Sequence, residues 1–105
     1  MTTNEKRHLE AVASLCCVLC ARYGNRGTPA QIHHIRTGVG MGRRASHYET
    51  IPLCHEHHQG ATGIHGMGRK AWERFHSVTE LELLEEVTEK VQHCLTHGPK
   101  VVSYA

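Results

Sequence analysis

The sequence predicts a small, zinc-stabilised α+β domain: two short strands and a central helix, flanked by N- and C-terminal helices. Three observations predict it. Two half-sites with metal-ligand spacing, Cys17-x-x-Cys20 and Cys54-x-x-His57, lie on either side of the middle of the chain. Two short strand-like runs fall between them. Both ends carry apolar residues at helical spacing.

The elements follow in order. Residues 4–16 read as a helix, with Leu9, Val12, Ala13 and Cys16 on one face. Cys17-Val18-Leu19-Cys20 interrupts that pattern, and Tyr23 to Pro29, with two glycines and a proline, reads as a loop. Ala30 to Arg36 is a strand candidate. Thr37 to Ser46 is a glycine-rich loop, and Glu49 to Leu53 is a second strand whose Pro52 implies an edge or an end. The run after Cys54 can start a helix, which Gly60 and Gly63 break before His65. Another helix covers Arg69 to His76. The last opens on a capping box, Thr79 with Glu82, and stops at Gly98-Pro99. Its apolar stripe is Val78, Leu81, Leu84, Val87, Val91 and Leu95, with Glu80, Glu85, Glu86 and Glu89 on the solvated side. That helix is expected to have a structural role only.

The chain has 105 residues, enough for one domain and one core. The expected division is an N-terminal helix over 1–15, a metal-bearing centre over 16–68 and C-terminal helices over 69–98. Large apolar side chains are few, so the core is thin and a bound metal would support it. No apolar run approaches the ~18 residues that a membrane span needs. The polar first ten residues lack a signal-peptide stretch, which points to the cytoplasm and to no membrane partner. Five cysteines in a reducing compartment suggest metal rather than disulfides.

Asp is absent, so metal ligands must come from His, Cys or Glu. Seven of the eleven histidines fall between His33 and His65. Residues 22–72 carry seven Arg/Lys against two Glu, whereas residues 73–105 carry three against six. The histidine-rich segment is therefore the basic one, which suits a polyanionic substrate.

Cys17, Cys20, Cys54 and His57 make a Cys₃His set, one of the closed arrangements of structural zinc. Cys16 is an alternative to Cys17 at a wider spacing, and Cys94 reads as an ordinary buried thiol. Among the remaining histidines, His33 and His34 are strand neighbours and face opposite ways. One can bind a metal while the other moves a proton. His58, next to His57, points about a hundred degrees around the helix. His33, His58 and His65 together can give an ion three imidazoles and leave it open positions, the pattern of a catalytic site. Such a set favours zinc, nickel, manganese or cobalt over magnesium. His55-Glu56-His57-His58 is not a zinc-protease motif, because Gln59 stands four after His55.

Cys17-x-x-Cys20, His33-His34, Leu53-Cys54-x-x-His57-His58 and His65, in this order, resemble the HNH endonuclease pattern. His33 to Gly42, Ile51 to Cys54 and Gly63 to Gly68 resemble more narrowly the phage Ref-type, or RecA-dependent, nucleases, over roughly residues 15–90. The resemblance implies a ββα-metal (HNH) core and a DNA endonuclease acting in recombination. It implies His34 as general base; His33, His58 and His65 as ligands of a catalytic divalent ion (Zn²⁺, Mn²⁺, Ni²⁺ or Mg²⁺); and Cys17, Cys20, Cys54 and His57 as ligands of structural Zn²⁺. DNA is the implied substrate and the RecA filament the implied partner.

Two departures stand out. The central Asn of the pattern falls near Glu49, so Glu49, His47 or Tyr48 is expected to support the loop that carries the base. Only about fifteen residues precede the first half-site, where relatives can carry a long basic arm. That weighs against RecA dependence. In the expected mechanism His34 takes a proton from water, while Arg36, Arg43, Arg44 and Arg69 hold the DNA backbone. Amides of the Gly38–Gly42 loop approach phosphates, and little sequence preference is expected. The alternative is a non-catalytic zinc-bound module for DNA or protein, which has no use for His33, His34 and His65. A metal-buffering or regulatory protein is a third reading that the ordered layout disfavours.

Overall fold

The computed structural model describes residues 1–38 and 45–97. Helix α1 spans Thr3–Ser14. Thr2 caps it, accepting from the Glu5 amide at 3.1 Å, while the Glu5 carboxylate accepts from the Thr2 amide at 2.7 Å. Past the helix, Cys16 takes φ 63°, a left-handed turn rare for a side chain other than glycine, and this reverses the chain into Cys17. Helix α2, Val18–Arg22, follows. A loop then leads to β1, Gln31–His34, which pairs antiparallel with β2, Thr50–Leu53, so that His33 faces Ile51 and His34 faces Thr50. Helices α3 (His55–Gln59), α4 (Ile64–Met67), α5 (Arg69–His76) and α6 (Glu80–His97) complete the described chain.

All four residues of β2 are buried, because α1, α2, α3 and α6 all pack against this strand. Val12, Leu19, Ile35, Ile51, Leu53, Trp72, Leu83 and Val87 are almost completely withdrawn from solvent. Each such side chain stabilises the fold by about 1.5–3 kcal/mol. Among the described residues this core holds two strands and six helices together, and the histidine-bearing segments hang from it.

Several expectations change. In α1, Ala13 is exposed and Ala11 is buried instead, and Cys16 lies beyond the helix. Strand β1 is shorter than Ala30–Arg36, although Ile35 still donates to the Glu49 carbonyl at 2.9 Å. Helices α2 and α4 were not expected. Cys94 is only partly buried.

The largest change concerns α6. Leu81 and Leu95 are 50% and 43% exposed, whereas Leu83, absent from the expected stripe, is fully buried. Spacings of three, four and four put Glu80, Leu83, Val87 and Val91 on one helix face. Glu80, expected in solvent, therefore lies in the interior at 1% exposure. The Thr79–Glu82 capping box is present in both directions, at 3.0 and 2.9 Å. Residues 39–44, with Arg43, Arg44 and most of the Gly38–Gly42 loop, lie outside the described residues, as does the Gly98-Pro99 stop.

Candidate metal centre

The two half-sites are built the same way. Cys17 is the N-cap of α2, and its Sγ accepts from the Cys20 amide at 3.3 Å. Cys54 is the N-cap of α3, and its Sγ accepts from the His57 amide at 3.5 Å. A cap residue and the residue three later meet over the first turn of a helix. The x-x spacing thus aims each pair of donors at one point, and the loose amides of both helices face the sulfurs.

The pairs converge. His57 Nδ1 lies 3.7, 3.6 and 3.4 Å from the sulfurs of Cys17, Cys20 and Cys54, and the Cys20 and Cys54 sulfurs are 3.7 Å apart. Tetrahedral zinc, with its bond lengths to sulfur and nitrogen, separates two thiolates by about 3.8 Å and a thiolate from an imidazole nitrogen by about 3.5 Å. The donor set therefore fits a closed metal site, and these four residues can hold an ion such as zinc. Burial pushes the Cys17 thiol up to about 12, amid two sulfurs that disfavour its charge; a cation between the donors reverses that balance.

The second cluster belongs to His33 on β1, His58 on α3 and His65 on α4, whose donor atoms lie within 4.8 Å of one another. Ring centroids are 5.2 Å apart for His33 and His58, 5.3 Å for His33 and His65, and 4.7 Å for His58 and His65. The Nε2 atoms of His58 and His65 face each other at 3.1 Å, close to the separation of two nitrogens on one ion, about 3.0–3.4 Å. The Gln31 amide oxygen accepts from His58 Nδ1 at 2.8 Å, which leaves Nε2 with its lone pair. Burial, then the neighbouring His33, His65 and His55, holds His58 down at about 4, so it is neutral near pH 7 and in its ligand form.

A tight turn brings His65 back beside His58. A Cβ on Gly63 would meet the Glu56 carbonyl oxygen at 2.6 Å, and one on Gly66 would meet the Gly60 carbonyl oxygen at 2.3 Å. Only glycine lets the two helices approach this closely.

On the third histidine, Nε2 of His33 donates to Glu80 Oε2 at 2.6 Å, and Thr37 donates to Oε1 of the same carboxylate at 2.5 Å. Burial raises the Glu80 pKa, but the hydrogen bonds from His33 and Thr37 outweigh it, and the net shift is downward. Sequence reasoning missed Glu80. A charged residue in register with Leu83, Val87 and Val91 was the signal, hidden by choosing Leu81 over Leu83.

His34 lies on the opposite side of β1. Its Nε2 is 3.0 Å from His47 Nδ1, and burial followed by repulsion from His47 and His33 lowers its pKa. Of the three residues expected to support this loop, His47 makes the contact. Tyr48 instead meets the His8 ring edge-on, and Glu49 is exposed. A cleft of about 390 Å³ is lined by His33, His65, Arg36, Arg69 and Glu80. Arg69 is paired with Glu73 at 3.1 Å. Among the expected backbone-binding residues, the structure thus brings Arg36 and Arg69 to the histidines; Arg43 and Arg44 lie outside the described residues. Compared with known protein families, residues 1–92 match the one described as Recombination enhancement, RecA-dependent nuclease.

Proposed function

We infer, because the chain belongs to the RecA-dependent nuclease family, that it is a metal-dependent DNA endonuclease of the HNH kind. The family makes it a nuclease with a role in recombination. The finer reading is that β1, β2 and α3 form a ββα-metal unit within one nuclease domain. One observation carries it: three imidazoles from three separate elements converge within 4.8 Å, beside a fourth histidine on the same strand.

In this reading Cys17, Cys20, Cys54 and His57 hold structural zinc. His33, His58 and His65 hold the catalytic ion. When bound, that ion neutralises charge growing on the phosphate and on the leaving oxygen. His34 is the general base. Its depressed pKa keeps the imidazole neutral near pH 7, ready to take a proton from water. His47 fills the role that the central Asn has in the HNH pattern, holding the Nε2 edge of His34 and leaving Nδ1 as the basic nitrogen. Arg36 and Arg69 steady the DNA backbone from the cleft wall. The RecA filament is the partner that the family's description points to. No helix among the described residues is long and apolar enough to cross a membrane.

A plasmid-nicking assay across a metal series tests the reading. The wild-type chain is expected to nick DNA with a divalent ion and to stop with EDTA. His34→Ala is expected to lose roughly 10²–10⁴-fold in rate while keeping both ions. Wild-type rates from that variant would remove His34 from the mechanism. A single bound ion and no cleavage would favour a zinc-bound binding module.

A further inference from the structure

We propose that Glu80 is a positioning residue for the histidine site: it fixes the tautomer and ring orientation of His33, so that Nδ1 carries the lone pair toward the ion. The proposal rests on reading His33, His58 and His65 as an ion site.

The geometry is specific. His33 and Glu80 are 4% and 1% exposed on their side chains, and their polar atoms are 2.6 Å apart. An ionised carboxylate can only accept, so His33 Nε2 must carry the hydrogen. The remaining nitrogen, Nδ1, is then the unprotonated one. Thr37 holds the other carboxylate oxygen, so the acid cannot rotate away from the ring. The Glu80 amide donates to Glu73 Oε2 at 2.8 Å, and this anchors the first turn of α6. Position adds to this, because a negative charge is favoured at a helix N-terminus.

Stability alone does not account for the residue. Glu80 occupies a slot on the core face of α6 that an apolar side chain would fill at least as well, since a buried ion pair seldom outperforms packed hydrocarbon. What hydrocarbon cannot do is orient an imidazole. Metal-binding histidines typically give their second nitrogen to a carboxylate, a carbonyl or water, and this raises ligand basicity. His58 has the neutral version of the same support in Gln31. His33, the most buried of the three, has the charged version.

The test uses the full chain carrying one zinc in its sulfur-rich site. Mn²⁺ is the probe, because it competes poorly for thiolates. Free Mn²⁺ is followed by electron paramagnetic resonance, and the His33 tautomer by long-range ¹H–¹⁵N NMR before Mn²⁺ is added. Glu80→Ala is expected to weaken Mn²⁺ binding roughly 10–100-fold and to lose the Nε2–H tautomer of His33. Glu80→Gln keeps an acceptor for His33 without the charge, so it is expected to keep the tautomer and lose less affinity. Thr37→Val leaves Glu80 in place and guards against a Glu80→Ala chain that fails to fold; a weaker Mn²⁺ site is expected there too. Wild-type affinity and an unchanged tautomer in Glu80→Ala would overturn the proposal. A wild-type chain that takes no Mn²⁺ would overturn the ion site itself, and this inference with it. The two failures are distinct, because only the second appears without any substitution.

Discussion

The sulfur-rich and the imidazole-rich clusters share one short helix and differ in nearly everything else. Helix α3 and its N-cap give His57 and Cys54 to the first and His58 to the second. The first takes its four donors from the caps and first turns of two helices, and all three cysteines are buried. It has a full set of four, with nothing left to offer a substrate. The second has three donors, of which His65 is exposed, and it borders a cleft. Adjacent residues on a helix point about a hundred degrees apart. His57 and His58 can therefore serve a closed site and an open one from a single turn. A small domain with a thin core can in this way stabilise its fold and arm its cleft from one short helix.

Removing the closed site should have the largest effect. Structural zinc contributes an apparent ~10–16 kcal/mol, more than a domain of this size has to spare. Stripping zinc, or replacing Cys54 by Ser, is expected to abolish the cooperative thermal transition seen by circular dichroism. A folded, metal-free chain would erase the distinction between the clusters. Next in size is the exchange of neighbours. His57→Ala should lower the melting temperature steeply, whereas His58→Ala should keep the fold and lose the second ion together with cleavage. Equal melting of the two variants would contradict the division of labour along α3.

Gly66→Ala should come third. Its methyl would meet the Gly60 carbonyl oxygen at 2.3 Å, and the backbone must shift to relieve it, at a cost of about 1–3 kcal/mol. Because α4 carries His65, titration should show a weaker open site with the zinc retained. The smallest effect is expected at Tyr23, whose hydroxyl donates to His76 Nδ1 at 2.7 Å while His76 Nε2 donates to the Thr62 carbonyl at 3.0 Å. This bridge ties the first half-site to the turn between α3 and α4. Tyr23→Phe should cost about 0.5–1.5 kcal/mol in chemical denaturation and leave the nicking rate intact.

Much of this architecture is legible in the amino-acid sequence. The half-sites were readable because a cap and the third residue after it must face the same point, whatever the rest of the chain does. The opposition of His33 and His34 followed from strand alternation, and Gly60 and Gly63 announced the turn before His65. Helices α2 and α4, at five and four residues, are too short to show a period, so they read as interruptions. Glu80 was hidden for another reason. Leucine at 81, 83 and 84 supports more than one helical stripe, and the register is decided by packing against the strands rather than by hydrophobicity. His47 was one of three candidates because local sequence does not say which residue of a loop reaches a distant ring. The last helix, expected to be scaffold only, brings a carboxylate to the buried His33.

Anomalous diffraction from crystals grown with zinc and soaked with Mn²⁺, recorded on both sides of each absorption edge, would locate both ions. Two separate peaks are expected: zinc amid Cys17, Cys20, Cys54 and His57, and manganese amid His33, His58 and His65. A lone peak at the sulfurs, with the three imidazoles turned away from one another, would contradict that arrangement.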